Sequence, residues 1–186
     1  PYLATLISQT NTKETEFYGG IKASLGNHFN FSAKAGLVRY NDLPFFINDT
    51  AFDGKAFVLG FEPTVNNFRV HGDLSYIVQN KFTATAAVTF NGYTGMNVNA
   101  RAWNTVPVEI NGSVRWWLSK QALIKADFYM FGGGNYLEKG NIGYNFKPGA
   151  DLGIGAEFRI NKKFTAWMDV NNILNNKYER WHRYEV

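Results

Sequence analysis

Cysteine is absent from the 186-residue sequence. Its absence excludes disulfide scaffolds, thiolate zinc sites and cysteine nucleophiles, and leaves the redox compartment open. Proline is sparse, with 5 residues. No stretch approaches the roughly 18 consecutive apolar residues of a transmembrane helix. There is also no basic run. The 19 Lys+Arg and 15 Asp+Glu are dispersed and leave a net charge of only +4, so no nucleic-acid partner is expected. No basic segment followed by an apolar core opens the chain, so no signal peptide is read. Pro1 in place of Met reads as a mature or trimmed piece.

What the sequence does have is aromatic side chains and alternation. Aromatics make up 17% of the residues, with 16 Phe, 10 Tyr and 5 Trp. In Phe82-Thr-Ala-Thr-Ala-Ala-Val-Thr-Phe90 the even positions are Phe, Ala, Ala, Val and Phe, and the odd ones are mostly Thr. A period of two is the signature of a strand with unlike faces. The same pattern recurs at 17–25, 29–37, 68–78, 108–118, 122–132, 148–160 and 164–170. No position on the apolar face of these eight segments is charged, whereas twelve on the interleaved face are.

Four links between the segments are three residues long: Gly26-Asn27-His28, Gln79-Asn80-Lys81, Ser119-Lys120-Gln121 and Asn161-Lys162-Lys163. Short Asn/Gly/Lys links between alternating runs read as hairpin turns, here centred on 27, 80, 120 and 162. The other connections are long, at 38–54, 91–107 and 133–146. A strand extension is expected at Phe57, Leu59 and Phe61, with a bulge near Asn66 and Asn67 where the apolar phase slips.

Three features place the apolar face against lipid. The strands run about nine to thirteen residues, close to the roughly 9–11 that cross a bilayer at a tilt. Aromatics collect near both strand ends: Phe29, Phe82, Trp116, Phe158 and Phe164 by the short turns, and Phe90, Tyr93, Phe131 and Tyr144 by the long loops. Short turns at one end and long loops at the other are the habit of outer-membrane barrels. The expected fold is therefore all-β, an antiparallel up-and-down transmembrane β-barrel. Residues 1–186 form one segment of nine or ten strands, counting 2–10 as a partial strand. A soluble sandwich or lipocalin-like barrel would instead bury the apolar face.

The chain end carries the most specific motif, Asn172-Ile173-Leu174-Asn175-Asn176-Lys177-Tyr178. It resembles the element that follows the penultimate strand in TonB-dependent outer-membrane receptors. Upstream, Leu43-Pro44-Phe45-Phe46-Ile47-Asn48-Asp49, His71-Gly72-Asp73-Leu74-Ser75-Tyr76 and Ala102-Trp103-Asn104 are similar to the C-terminal part of such receptors, especially Bacteroidetes-type ones. The resemblance implies solute uptake through a plugged barrel in the bacterial outer membrane. It also implies a plug domain, the remainder of the barrel and a TonB-type energising complex as partners, beside lipid and an unknown small solute. Asn172, Leu174, Asn175 and Tyr178 are the motif residues. Asn172 and Asn175 are expected to close turns, and Tyr178 to sit at the membrane interface. The chain departs from the family in lacking a final strand ending in an aromatic residue, the plug and the TonB box. It therefore reads as the C-terminal portion of a larger barrel. A passive porin-like or structural barrel is the alternative.

The polar residues expected to line the lumen are Arg69, His71, Asp73, Glu109, Arg115, Lys125, Asp127, Asp151, Glu157, Arg159 and Asp169. Across the 119–121 turn, facing positions sum to 240, which sets Arg115 opposite Lys125 and diagonal to Asp127; an Arg115–Asp127 contact is expected. Gly153 and Gly155 are expected to leave room for something in the lumen, such as the plug. Tyr93, Trp103, Tyr136 and Trp181 are candidate ligand-stacking loop residues, as are Phe45, Phe46 and Tyr184.

No catalytic function is read. His71, Asp73 and Ser75 share a face, but the i, i+2, i+4 spacing of a strand sets them roughly 6.5–7 Å apart, beyond triad contact. His28, His71 and His182 show no metal-ligand spacing, and no cofactor is expected. Gly132-Gly133-Gly134 is read as a flexible loop.

Overall fold

The computed structural model describes residues 11–49, 56–138, 142–181 and 184–185. Ten strands follow in order: β1 (Lys13–Leu25), β2 (Phe29–Asp49), β3 (Ala56–Val78), β4 (Phe82–Thr94), β5 (Val108–Trp117), β6 (Ala122–Gly132), β7 (Asn135–Glu138), β8 (Ile142–Asn145), β9 (Gly149–Arg159) and β10 (Thr165–Val170). A short pair, β11 (Glu179–Trp181) and β12 (Tyr184–Glu185), ends the chain. Eight strands form one antiparallel sheet in the order β1-β2-β3-β4-β5-β6-β9-β10. β7 and β8 make a separate hairpin inside the third long connection. The possible strand at 2–10 lies outside the described residues.

All four short turns join their expected strands. The pairs Leu25↔Phe29, Val78↔Phe82, Arg115↔Lys125 and Thr165↔Arg159 set registers centred on 27, 80, 120 and 162. Gly26 and Asn80 take the left-handed φ values of 64° and 58° that such tight links require.

Along the sheet the apolar face is uncovered. Phe17 is 80% exposed, Trp116 48%, Phe158 51% and Phe128 36%. A soluble sandwich would bury these side chains, and nothing among the described residues covers them. Phe29, Tyr76 and Phe82 form a tilted aromatic row beside the short turns, with centroids 4.8 and 6.1 Å apart. The row lies where an aromatic belt is expected from the sequence, by the short turns. The opposite girdle is thinner than expected. Phe90 keeps its place on the apolar face, but Tyr93 and Phe131 have the opposite strand parity and face the polar side, and Tyr144 belongs to the β7–β8 hairpin.

Residues 38–49 are strand rather than loop. β2 and β3 pair as a continuous ribbon from Phe29↔Tyr76 to Asp49↔Ala56. The expected bulge at Asn66 and Asn67 is absent, since both pair in register with β2 and β4. The apolar phase changes because the surroundings change. Toward the short turns the apolar side chains lie on the exposed face, as at Leu37 and Phe68. Toward the long-loop end the apolar residues change to the opposite face and are buried, as at Val38, Tyr40 and Val65. The one irregular place is Asp42 (φ 57°), which is left out of the ladder opposite Pro63. The buried core lies at this end, where Val38, Tyr40, Phe45, Val65 and Ala102 pack together.

Candidate functional site

The polar face of the sheet is concave. A single depression of about 810 Å3 touches Lys22 of β1, Ser32 of β2, Asp73 of β3, Thr85 of β4, Ser113 of β5, Asp127 of β6 and Asp151 of β9. Strand pairing places its residues in rows that run across the strands. One row is almost entirely uncharged: Ser24, Asn30, Ser75, Thr85 and Ser113, ending at Asp127. Hydroxyls and amides bond along it, Ser24 to Asn30 at 2.7 Å and Thr85 with Ser113 at 2.7 Å.

Charged groups flank this row in pairs. Lys34 meets Glu16 at 3.0 Å, and Arg69 donates to the Tyr40 hydroxyl at 2.6 Å and to Asn91 Oδ1 at 3.2 Å. On the far side Arg115 donates to both Asp127 oxygens, at 2.9 and 3.2 Å, which is the expected diagonal contact. It relieves the facing Arg115↔Lys125 pair. Lys125 turns the other way, to Glu157 at 3.1 Å and Asp169 at 2.8 Å.

The Lys125–Asp169 bridge links β6 to β10 across β9, and Gly155 sits beneath it. A Cβ at Gly155 would collide with Lys125 Cε and Asp169 Oδ1. The space above Gly155 is thus filled by this chain's own ion pair rather than left for a plug. The space above Gly153 is bounded by Asn171 Oδ1, 3.1 Å from an ideal Cβ. Among the described residues Asp151 Oδ1 is buried without a hydrogen-bond partner. Arg159 stands exposed at the short-turn end.

His71 and Asp73 do touch, with Nε2 3.1 Å from Oδ1, because both side chains lean along the strand. Nδ1 lies 2.8 Å from the Thr89 hydroxyl across the ladder, and Ser32 donates to Asp73 Oδ2 at 2.8 Å. The parallel-spacing argument therefore fails for this pair. What forms is a hydrogen-bonded chain stitching β2, β3 and β4, with Thr89 rather than Ser75 as the hydroxyl.

At the long-loop end, sequence reasoning missed Glu62. Its side chain is fully buried, yet it ends β3's apolar stretch without any motif around it. The carboxylate accepts the backbone N–H groups of Asn97, Val98 (3.0 Å) and Asn99 (2.8 Å), and the Asn99 side-chain amide at 3.0 Å. Desolvation pushes its pKa up, but these donors outweigh burial and hold it below its ordinary value. The loop after β4 is thereby pinned to the ribbon. That loop is tied in turn to the β7–β8 hairpin. Asn104 N–H donates to Asn135 O at 2.7 Å, and Arg101 bonds Asn135 and Asn145. Gly134 is packed rather than flexible, with the Thr105 carbonyl 2.6 Å from an ideal Cβ.

The candidate ligand aromatics have mostly found partners within the protein. Trp103 is only 6% exposed and Phe45 is buried. Tyr136 stacks on Tyr144 at 5.7 Å and leans on Phe146 at 4.9 Å. Tyr93, Trp103 and Phe46 border a second, smaller hollow of about 270 Å3 with Tyr40 and Asn104. The side chains of Trp181 and Tyr184 lie outside the description. Tyr178 is not at the lipid side: it packs edge-on against Phe131 of the polar face, 5.3 Å between centroids.

No known family profile matches the sequence, and no curated protein does. Solved structures do match. The copper transporter OprC superposes with a TM-score of 0.67 at 10% identity, covering 90% of this chain and 26% of OprC. FpvA of P. aeruginosa, solved bound to heterologous pyoverdines as the FpvA-Pvd(ATCC13535)-Fe complex, gives 0.67 at 12% identity, covering 91% of this chain and 24% of FpvA. Both are TonB-dependent outer-membrane proteins. The chain has the fold of a TonB-dependent receptor barrel, in part. It spans about a quarter of the length of these receptors. Its sheet is open, as a portion of such a barrel must be.

Proposed function

We propose that residues 1–186 are one segment of the wall of a TonB-dependent transporter in the bacterial outer membrane, where the polar face lines the bore and the apolar face meets lipid. The observation that carries this is the pairing of an uncovered apolar face with a concave face of ion pairs and hydroxyls, on a sheet of receptor-barrel fold. In this reading the eleven charged and histidine residues from Arg69 to Asp169 line the water-filled side. A plug, the rest of the barrel and a TonB-type complex complete the machine, with no catalytic step by this chain. The hollow beside Tyr93 and Trp103 is the proposed place for a small solute at the long-loop end. Tyr136 belongs to the neighbouring hairpin.

Cysteine labelling of the complete protein in outer-membrane vesicles tests the wall. Ser113→Cys reacts with a membrane-impermeant maleimide and Val114→Cys does not; reversed reactivity overturns the orientation. Metal chelates are the first solutes to try, because the matched proteins are a copper transporter and a ferric pyoverdine complex. Uptake of radioactive iron or copper chelates by cells making the protein collapses with a protonophore if transport is energised. Uptake unaffected by the protonophore identifies a passive channel.

A further inference from the structure

The chain after β10 does not run on as a strand. Asn172 and Asn175 both take left-handed φ values, 49° and 47°, which Asn tolerates better than other side chains. Asn175 N–H donates to Asn172 O at 2.9 Å, and Asn176 N–H to Asn172 Oδ1 at 3.1 Å, so the backbone reverses. The reversal is sewn to β9: Ile173 N–H donates to Leu152 O at 2.9 Å and the Asn176 amide to Ala150 O at 3.3 Å. Tyr178 then meets Phe131 of β6. The two rings reach each other over Gly149, where an ideal Cβ would lie 2.8 Å from Tyr178 Cγ and would collide with the Phe131 ring. Finally Arg180 bonds Glu109 of β5. Its guanidinium lies 5.7 Å from the Tyr129 ring centroid, and the Tyr129 hydroxyl donates to the same Glu109 oxygen at 2.8 Å. In three steps the segment crosses β9, β6 and β5 on the polar face.

We propose that residues 171–180 are a movable strap across the bore and that Arg180, Glu109 and Tyr129 are its latch. The strap rests on the reading of the polar face as the bore. Its attachments differ in kind from those of the wall beneath it. The sheet is held by continuous ladders, whereas the strap meets the wall beneath it through one backbone bond, from Ile173, and a few side-chain contacts. The Arg180 side chain is 49% exposed and that of Glu109 27%, so their ion pair contributes little and is cheaply broken. An element so attached opens without unfolding its neighbours. Latched, it narrows the bore at the long-loop end; released, it widens it.

The test uses the complete protein in planar bilayers, with folding checked by heat-modifiable migration. A Glu109→Cys/Arg180→Cys pair is joined by a short bismaleimide, and the product is identified by peptide mapping. The locked protein shows fewer openings than the same protein before joining. Glu109→Gln, which keeps the shape but removes the charge, raises open-state occupancy by up to about fivefold, the range an exposed charged contact allows. Gly149→Ala, which drives Tyr178 off Phe131, raises it as well. If the pair fails to join although each single cysteine reacts, the strap does not lie where it is placed. If the pair joins and conductance is unchanged, the latch controls nothing and the proposal falls. Neither result touches the orientation of the wall, which the labelling of Ser113→Cys and Val114→Cys reads separately.

Discussion

At the residue scale, the polar face is organised by what small residues leave open. Lys125 and Asp169 meet only because Gly155 stands between them without a side chain. Gly155→Val displaces two flexible side-chain ends, so stability changes little, but the bridge is lost. Double-mutant cycles on urea unfolding from vesicles give a favourable Lys125–Asp169 coupling in the native background, and none once Gly155→Val is added. Glu62 behaves differently because it is buried among backbone donors. Glu62→Gln replaces one acceptor oxygen by a donor and costs the 96–99 loop about 1.5–3 kcal/mol, read as faster proteolysis of that loop. Because the folded carboxyl titrates below its ordinary value of 4.5, the clamp is fully present above that pH. It is lost as pH falls through the lower folded value. Proteolysis of the loop accelerates on acidification in the native protein, and far less in the Gln variant. Charge on one face of each strand was legible from sequence. Which acid met which base was legible only for Arg115 and Asp127, where a three-residue turn fixed the register. Glu62 was not legible, because its partners are backbone groups of a loop 35 residues away.

At the element scale, short hairpins proved readable and long excursions did not. A three-residue link between alternating runs leaves one register, and the four turn centres follow from it. Asn80 illustrates the local constraint. With φ at 58°, Asn80→Gly folds as well as the native protein, whereas Asn80→Val loses about 1–2 kcal/mol for entering the left-handed region, measured by urea midpoint. The β2–β3 ribbon escaped because alternation reports contrast between two environments, not strandness itself. Where the buried side of the ribbon changes from one face to the other, a strand of constant register reads as one that has slipped. The β7–β8 hairpin escaped for a related reason: with four residues per strand it is too short for any period to emerge. The motif around Asn172 and Asn175 correctly marked a turn, but nothing in its spacing revealed that the turn delivers Tyr178 to the polar side.

At the scale of the whole molecule, fold class was legible because alternation with every charge on one face runs through eight strands, and the proposed sidedness follows from it if the uncharged face meets lipid. Every outward residue must be apolar along a full crossing, which leaves the acids and bases to the other face. Total size was not legible, since a wall segment looks the same whatever the circumference it belongs to. Among the described residues, the strands β1 and β10 stand at the two margins of the eight-stranded sheet, each with a column of amide and carbonyl groups that no described strand faces. In hydrocarbon every unmatched group of this kind costs several kcal/mol. The penalty accumulates along both seams at once. If the proposed wall reading holds, entering the membrane and acquiring neighbours at those seams become one thermodynamic step, and the circumference is set when the last seam zips shut rather than when the first hairpins form.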